Sequence, residues 1–205
     1  MTSTFSPKKT ALLLLDLQVG LLQRLPSESF AAIIQNAKSA ISIARQDGAQ
    51  IAYIRVALDE LDLEAVPDHN TTFSPFKVNK ELGATVHPNA PTTQIHPEIA
   101  PKEGDLVERK VRFGAFMVNP SKAMLDDFTA KGINNVIIGG VATSGAVLSA
   151  VRQLADLDLN LTVLEDCCAD YDVELHKVLC EKVFPKQAKV IQSSELGSLF
   201  QTTAF

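Results

Sequence analysis

The sequence has 205 residues, 46% hydrophobic and 21% charged, which suffices for one large core in a single domain spanning 1–205. A net charge of −5 with no run of Lys or Arg argues against nucleic acid and anionic membrane as partners, and no apolar stretch approaches the roughly 20 residues a bilayer span needs. Cys167, Cys168 and Cys180 form an odd, clustered set. The apolar run near the N-terminus is five residues, broken by Asp16, which is too short for a signal peptide. Together these predict reduced thiols and a cytoplasmic protein.

In chain order, TALLLL at 10–15 reads as a buried strand. Residues 29–46 read as a helix, with Phe30, Ile33, Ile34, Ala37, Ile41 and Ala44 on one face and Gly48 near its end. QIAYIRV at 50–56 is a second strand. Residues 58–93 carry Pro, Asn and Asp without a period, and loops of that length in compact domains are often functional. A short helix is expected at 96–100 and a third strand at 105–110. A helix at 121–131 closes at Gly132. Strands at 135–139, 159–164 and 188–192 then alternate with helices at 144–157, 173–184 and 194–200. This alternation predicts an α/β fold with right-handed crossovers and a mainly parallel sheet.

In open parallel sheets the ligand sits at the carboxyl ends of the strands, near the point where strand order reverses. Asp16 ends strand one, Lys110 ends strand three, and the segment at 141–146 follows strand four. If strands one and four flank the switch point, all three converge. Asp16 is then either a helix N-cap or a site carboxylate; at the mouth of an apolar pocket its pKa rises and it can act as acid or base. Lys110 is either a solvated edge charge or the group that orients Asp16 and binds an anionic or carbonyl oxygen. GGVATSGAVLSAV is either a tight turn packed with small residues or an anion site at backbone N–H groups from Ala142 to Ala146. It follows neither G-x-G-x-x-G nor the P-loop pattern, and no G-x-S-x-G elbow occurs. His69, His87, His96 and His176 show no metal-ligand spacing. His69 after Asp68 reads as a solvated loop residue, His176 as a packing or capping residue, and Cys167 and Cys168 as buried thiols after strand five.

These residues match a family pattern. LLLLDLQVGLL, ERKVRFGAF and GGVATSGAVLSAVRQLADLDLNLTVLEDCCAD, in order and over nearly the whole chain, resemble the isochorismatase-like hydrolases of the cysteine hydrolase superfamily. The resemblance implies a three-layer α/β/α Rossmann-like sandwich with a six-stranded sheet, Asp16 and Lys110 as catalytic residues, and a cis peptide at Val141–Ala142. It implies backbone oxyanion stabilisation around Val141, Ala142 and Gly145. It also places Gln18, Asn70, Phe73 and Phe116 near a small-molecule pocket. It implies a homo-oligomer (dimer, tetramer or octamer). No cofactor is expected, and the family's D-x-H…H metal arrangement is matched only by Asp68 and His69.

The nucleophilic Cys of the family aligns with Ala146, either natively or as a replacement of Cys. Amide hydrolysis through a thioester needs the thiolate. Vinyl-ether cleavage of isochorismate to pyruvate and a dihydroxybenzoate needs only an acid and water, and Asp16 with Lys110 suffices. The expected function is thus an isochorismatase-like hydrolase of ether type. The alternatives are an amidase whose Cys is replaced by Ala146 and a non-catalytic scaffold.

Overall fold

The computed structural model describes residues 5–117 and 122–201. Six strands form one sheet: β1 (Thr10–Leu15), β2 (Gln50–Val56), β3 (Leu106–Lys110), β4 (Asn135–Val141), β5 (Asn160–Ala169) and β6 (Lys189–Ile191). Their order is β3-β2-β1-β4-β5-β6, and every ladder is parallel. The helices are α1 (Val19–Leu22), α2 (Ser27–Gln46), α3 (Glu60–Glu64), α4 (Ser74–Val78), α5 (Lys80–Ala84), α6 (Lys122–Ala130), α7 (Leu148–Ala155), α8 (Val173–Val178) and α9 (Leu196–Gln201).

The central strand shows why the sequence takes this form. All six residues of β1 are buried, as a parallel strand covered on both faces requires. Leu12 and Leu14 join one core with Ile33, Ala37 and Leu196, from α2 and α9. Leu13 and Leu15 join the other with Phe128, Val151 and Leu179, from α6, α7 and the turn after α8. Helices therefore cover both sides of the sheet, and the α/β three-layer expectation holds. The edge strand β3 carries Glu108 and Arg109, charges that discourage edge-to-edge pairing. Among the described residues no helix is long and apolar enough to cross a membrane.

Several boundaries differ from the sequence expectation. The helix expected at 29–46 starts at Ser27, and Gly48 beyond its end has φ 82°, the left-handed conformation that favours glycine after a helix. The long loop at 58–93 holds three short helices, α3 to α5. The helix expected at 96–100 is a single 3-10 turn, Pro97–Ile99. Residue 121 lies outside the described residues. The helix expected from 144 begins with a π-turn, Thr143–Val147, before α7. The one expected at 173–184 divides into α8, a second π-turn at Leu179–Val183 and a 3-10 turn. Cys167 and Cys168 do not follow β5 but lie within it, because β5 runs on to Ala169.

The chain leaves β1 outward through β2 and β3, then returns to the other side of β1 as β4. The switch point therefore lies between β1 and β4. Gly140 lets these two strand ends close up. A Cβ there would stand 2.3 Å from the Leu15 carbonyl oxygen, and its φ of 155° is one that side chains rarely adopt.

Candidate active site

Asp16 is the first residue beyond β1. Its φ is 55°, a left-handed conformation that Asp tolerates better than most residues, and its N–H donates to the Ile54 carbonyl at 2.8 Å. The turn buries the carboxylate at the strand end, so Asp16 is a site carboxylate and not the cap of α1; Gln18 precedes that helix. Lys110, the last residue of β3, is 1% exposed. Its Nζ lies 2.7 Å from Asp16 Oδ2 and also donates to the Phe113 carbonyl at 2.8 Å. The solvated-edge reading of Lys110 is thereby overturned. Burial raises the Asp16 pKa above its ordinary value of 3.8, and the Lys110 ammonium only partly offsets this. The second carboxylate oxygen, Oδ1, is buried with no hydrogen-bond partner among the described residues. A buried orphan acceptor is costly, and here it marks the atom that can meet a substrate proton or a water.

Asp16 and Lys110 line a cavity of about 410 Å3 together with Val141, Ala142, Gly145 and Ala146. That size suits a small molecule. The peptide between Val141 and Ala142 is cis, as the sequence resemblance implies. The Ala146 methyl group stands in the wall, 2% exposed. Not every backbone N–H of this segment is available to an anion. Ser144 N–H donates to Asp170 Oδ2 at 2.7 Å, and Gly145 N–H donates to the Ala142 carbonyl at 3.0 Å. Gly145 serves instead by lacking a side chain: a Cβ there would press on the Phe113 ring at 3.2 Å.

The opposite wall comes from the long loop. Leu58, Val66, Phe73 and Val111 form a small apolar cluster that seats the loop beside the cavity. Phe73 meets Phe113 edge-on, with ring centroids 5.6 Å apart. Asn70 does not reach the cavity wall. Its Oδ1 accepts from Phe73 N–H at 3.0 Å and Thr72 N–H at 3.2 Å, and so fixes Phe73. Gln18 is not in the wall either. Its Nε2 donates to the Val56 and Thr93 carbonyls, both at 2.9 Å, and its Oε1 accepts from Val56 N–H at 2.8 Å. Phe116 packs into the core on the α7 side, and Phe113 takes the wall position expected of it.

Sequence reasoning missed the cavity's two guanidinium groups. Arg24 stacks 4.8 Å from the Tyr171 ring centroid, and Arg112 lies 5.4 Å from that of Phe73. All four side chains line the cavity. Nothing in local sequence pairs residues so far apart. No cysteine lines the cavity, and all three are buried free thiols. Burial pushes the Cys167 and Cys168 thiols well above their ordinary range and Cys180 up to about 12. Asp68 pairs with Lys77 at 2.9 Å, and His69 is exposed beside it.

The isochorismatase domain model matches residues 10–195. The chain is 25% identical over 182 residues to the uncharacterized isochorismatase family protein YwoC of Bacillus subtilis, covering 89% of each chain. It is 28% identical over 178 residues to the ureidoacrylate amidohydrolase RutB of Cronobacter sakazakii, covering 80% of this chain and 75% of that one. The structure of a cysteine hydrolase from Pseudomonas syringae pv. phaseolicola superposes with a TM-score of 0.81 at 16% identity, covering 100% of both chains. With its domain match, its all-parallel sheet and its site at the β1–β4 switch point, the chain belongs to the isochorismatase family of hydrolases.

Proposed function

We propose that this isochorismatase-family hydrolase cleaves its small-molecule substrate by proton transfer from Asp16, without a covalent enzyme intermediate. The observation that carries the reading is Ala146: a methyl group stands in the cavity wall, and none of the three thiols lines that cavity. Burial raises the Asp16 pKa, which keeps the acid form available nearer neutral pH.

The substrate that best uses this arrangement is a vinyl ether such as isochorismate. Asp16 gives its proton to the terminal methylene of the enol ether, forming an oxocarbenium ion. Water adds to the cationic carbon, and the resulting hemiketal breaks its C–O bond to release pyruvate and the hydroxylated ring acid. Lys110, 2.7 Å away, stabilises the carboxylate left behind, and a proton from the added water restores the acid. The apolar walls suit a hydrocarbon ring, and Arg24 and Arg112 suit carboxylates at its edge. The same proposal includes a cytoplasmic homo-oligomer, whose assembly sedimentation equilibrium would read.

A second reading, amide hydrolysis, is favoured by the similarity to RutB, which is named as an amidohydrolase. The two separate in one assay set. Pyruvate release from isochorismate, abolished in Asp16→Ala, supports the ether reading; release that persists in Asp16→Ala sinks it. Amine or ammonia release from an amide panel that appears on Ala146→Cys, with no pyruvate release by either protein, establishes the second.

A further inference from the structure

A second group of chemistry-bearing side chains lies on the far side of β5 from Asp16, and the acid–base site does not use it. Between the pairs Ile138–Val163 and Gly140–Cys168, one residue of β4 faces four of β5. The extra residues bulge out of the ladder and carry Glu165 toward α8. His176 on α8 and Cys180, four residues later in the π-turn, lie on one helical face and meet it. One donor atom from each of Glu165, His176 and Cys180 falls within 4.8 Å of the other two. Cys180 Sγ is 3.9 Å from both ring nitrogens of His176.

We propose that Glu165, His176 and Cys180 bind a divalent transition-metal ion of the zinc class, in a site separate from the acid–base centre. A thiolate, an imidazole and a carboxylate suit zinc and disfavour calcium or magnesium, which prefer all-oxygen shells. Tetrahedral zinc with bonds of about 2.0–2.3 Å holds its ligands roughly 3.3–3.8 Å apart. Donors as far apart as 4.8 Å therefore need to close by up to roughly 1.5 Å, and the half-buried Glu165 has the freedom to supply it.

Outer partners already orient two of the three ligands. Thr143 Oγ1 is 2.8 Å from His176 Nδ1, which fixes the ring and leaves Nε2 for the metal. Gln192 Nε2 donates to Glu165 Oε2 at 2.9 Å. A cavity of about 340 Å3, lined by Glu165, His176, Asn36, Asp170 and Gln192, gives an ion its way in to two of the three donors, while Cys180 is buried and outside its wall. Burial and the nearby Glu165 and Glu181 carboxylates hold the Cys180 thiol neutral, with its pKa up at about 12. Binding therefore exchanges a proton for the ion: the S–H bond breaks, a metal–sulfur bond forms, and the proton leaves to buffer.

Cobalt(II) provides the readout, because tetrahedral thiolate ligation gives a sulfur-to-cobalt charge-transfer band. The full chain, stripped with chelator and desalted, is titrated with Co2+ and then with Zn2+. The expected result is one Co2+ per chain with the charge-transfer band, displacement by Zn2+, and a rise in Tm with Zn2+. Cys180→Ser abolishes the band, while Cys167→Ser retains it. His176→Gln and Glu165→Gln weaken Zn2+ by at least the roughly 10–100-fold that loss of an outer partner costs. Far-ultraviolet dichroism checks that each variant is folded, and Thr143→Val, which removes an outer partner and no ligand, gives a second route with the band kept and affinity reduced. No charge-transfer band in the parent protein, or a band that follows Cys167 instead of Cys180, overturns the proposal.

Discussion

The central residue-level feature is a buried ion pair with one orphan oxygen. Asp16 is held in a left-handed turn, and Lys110 is almost wholly enclosed, so neither charge can relax into water. Removing one partner strands the other. Lys110→Met is expected to destabilise the fold by roughly 3–5 kcal/mol, the usual cost of an uncompensated buried charge, read as a lower urea midpoint. A midpoint shift equivalent to less than about 1 kcal/mol would mean that Asp16, its pKa already raised by burial, sheds its charge by taking up a proton. The same burial sets the pH dependence. An acid with a raised pKa is active while protonated, so kcat on a vinyl-ether substrate falls as pH rises through the Asp16 pKa. The midpoint of that limb is expected above 3.8. A midpoint at or below 3.8 would show that Lys110 outweighs desolvation.

At the scale of elements, the site depends on how strand ends are tied together. Gln18 bridges the end of β1 to Val56 of β2 and to Thr93, with three hydrogen bonds from one amide. Gln18→Ala leaves two carbonyls and an N–H without these partners, an expected loss of about 1–3 kcal/mol. Amide hydrogen exchange at Val56 should accelerate, while β5 stays protected; unchanged exchange at Val56 would mean that the long loop is held by other means. This is also where the sequence was least legible. Buried strands, the order of elements and the strand-end positions of Asp16 and Lys110 follow from local apolar runs, which is why β1 and β2 begin and end where expected. Gln18 and Phe116 lie within the motifs that resemble the family, and Asn70 in a stretch of the long loop that resembles it, but whether a side chain meets a cavity or a backbone is set by contacts across the fold. The two π-turns were equally hidden, since they share the apolar period of the helices they interrupt. The Arg24–Tyr171 and Arg112–Phe73 pairs depend on the long loop and the end of β5 meeting the switch point, which no local pattern encodes.

For the molecule as a whole, the buried Asp16–Lys110 pair, in the acid–base role proposed for it, ties that chemistry to global stability. A carboxyl with a raised folded-state pKa binds its proton more tightly in the native state than in the unfolded chain. The native state then holds more protons than the unfolded one between the two pKa values, and stability falls as pH rises through that window. The sign is opposite to that of an ordinary surface carboxylate such as Asp68 or Glu98, held low by Lys77 and Lys38, whose contribution is lost as pH falls. The double variant Asp16→Asn/Lys110→Met removes both charges at similar volume while leaving the surface pairs in place. Its stability relative to the parent is expected to improve from pH 4 toward pH 7, because only the parent must ionise a buried carboxyl. Urea unfolding of both proteins at several pH values checks this. A difference that stays flat, or shrinks in the opposite direction, would show that Lys110 fully compensates Asp16, and that the carboxylate is ionised at neutral pH and acts there as a base rather than an acid.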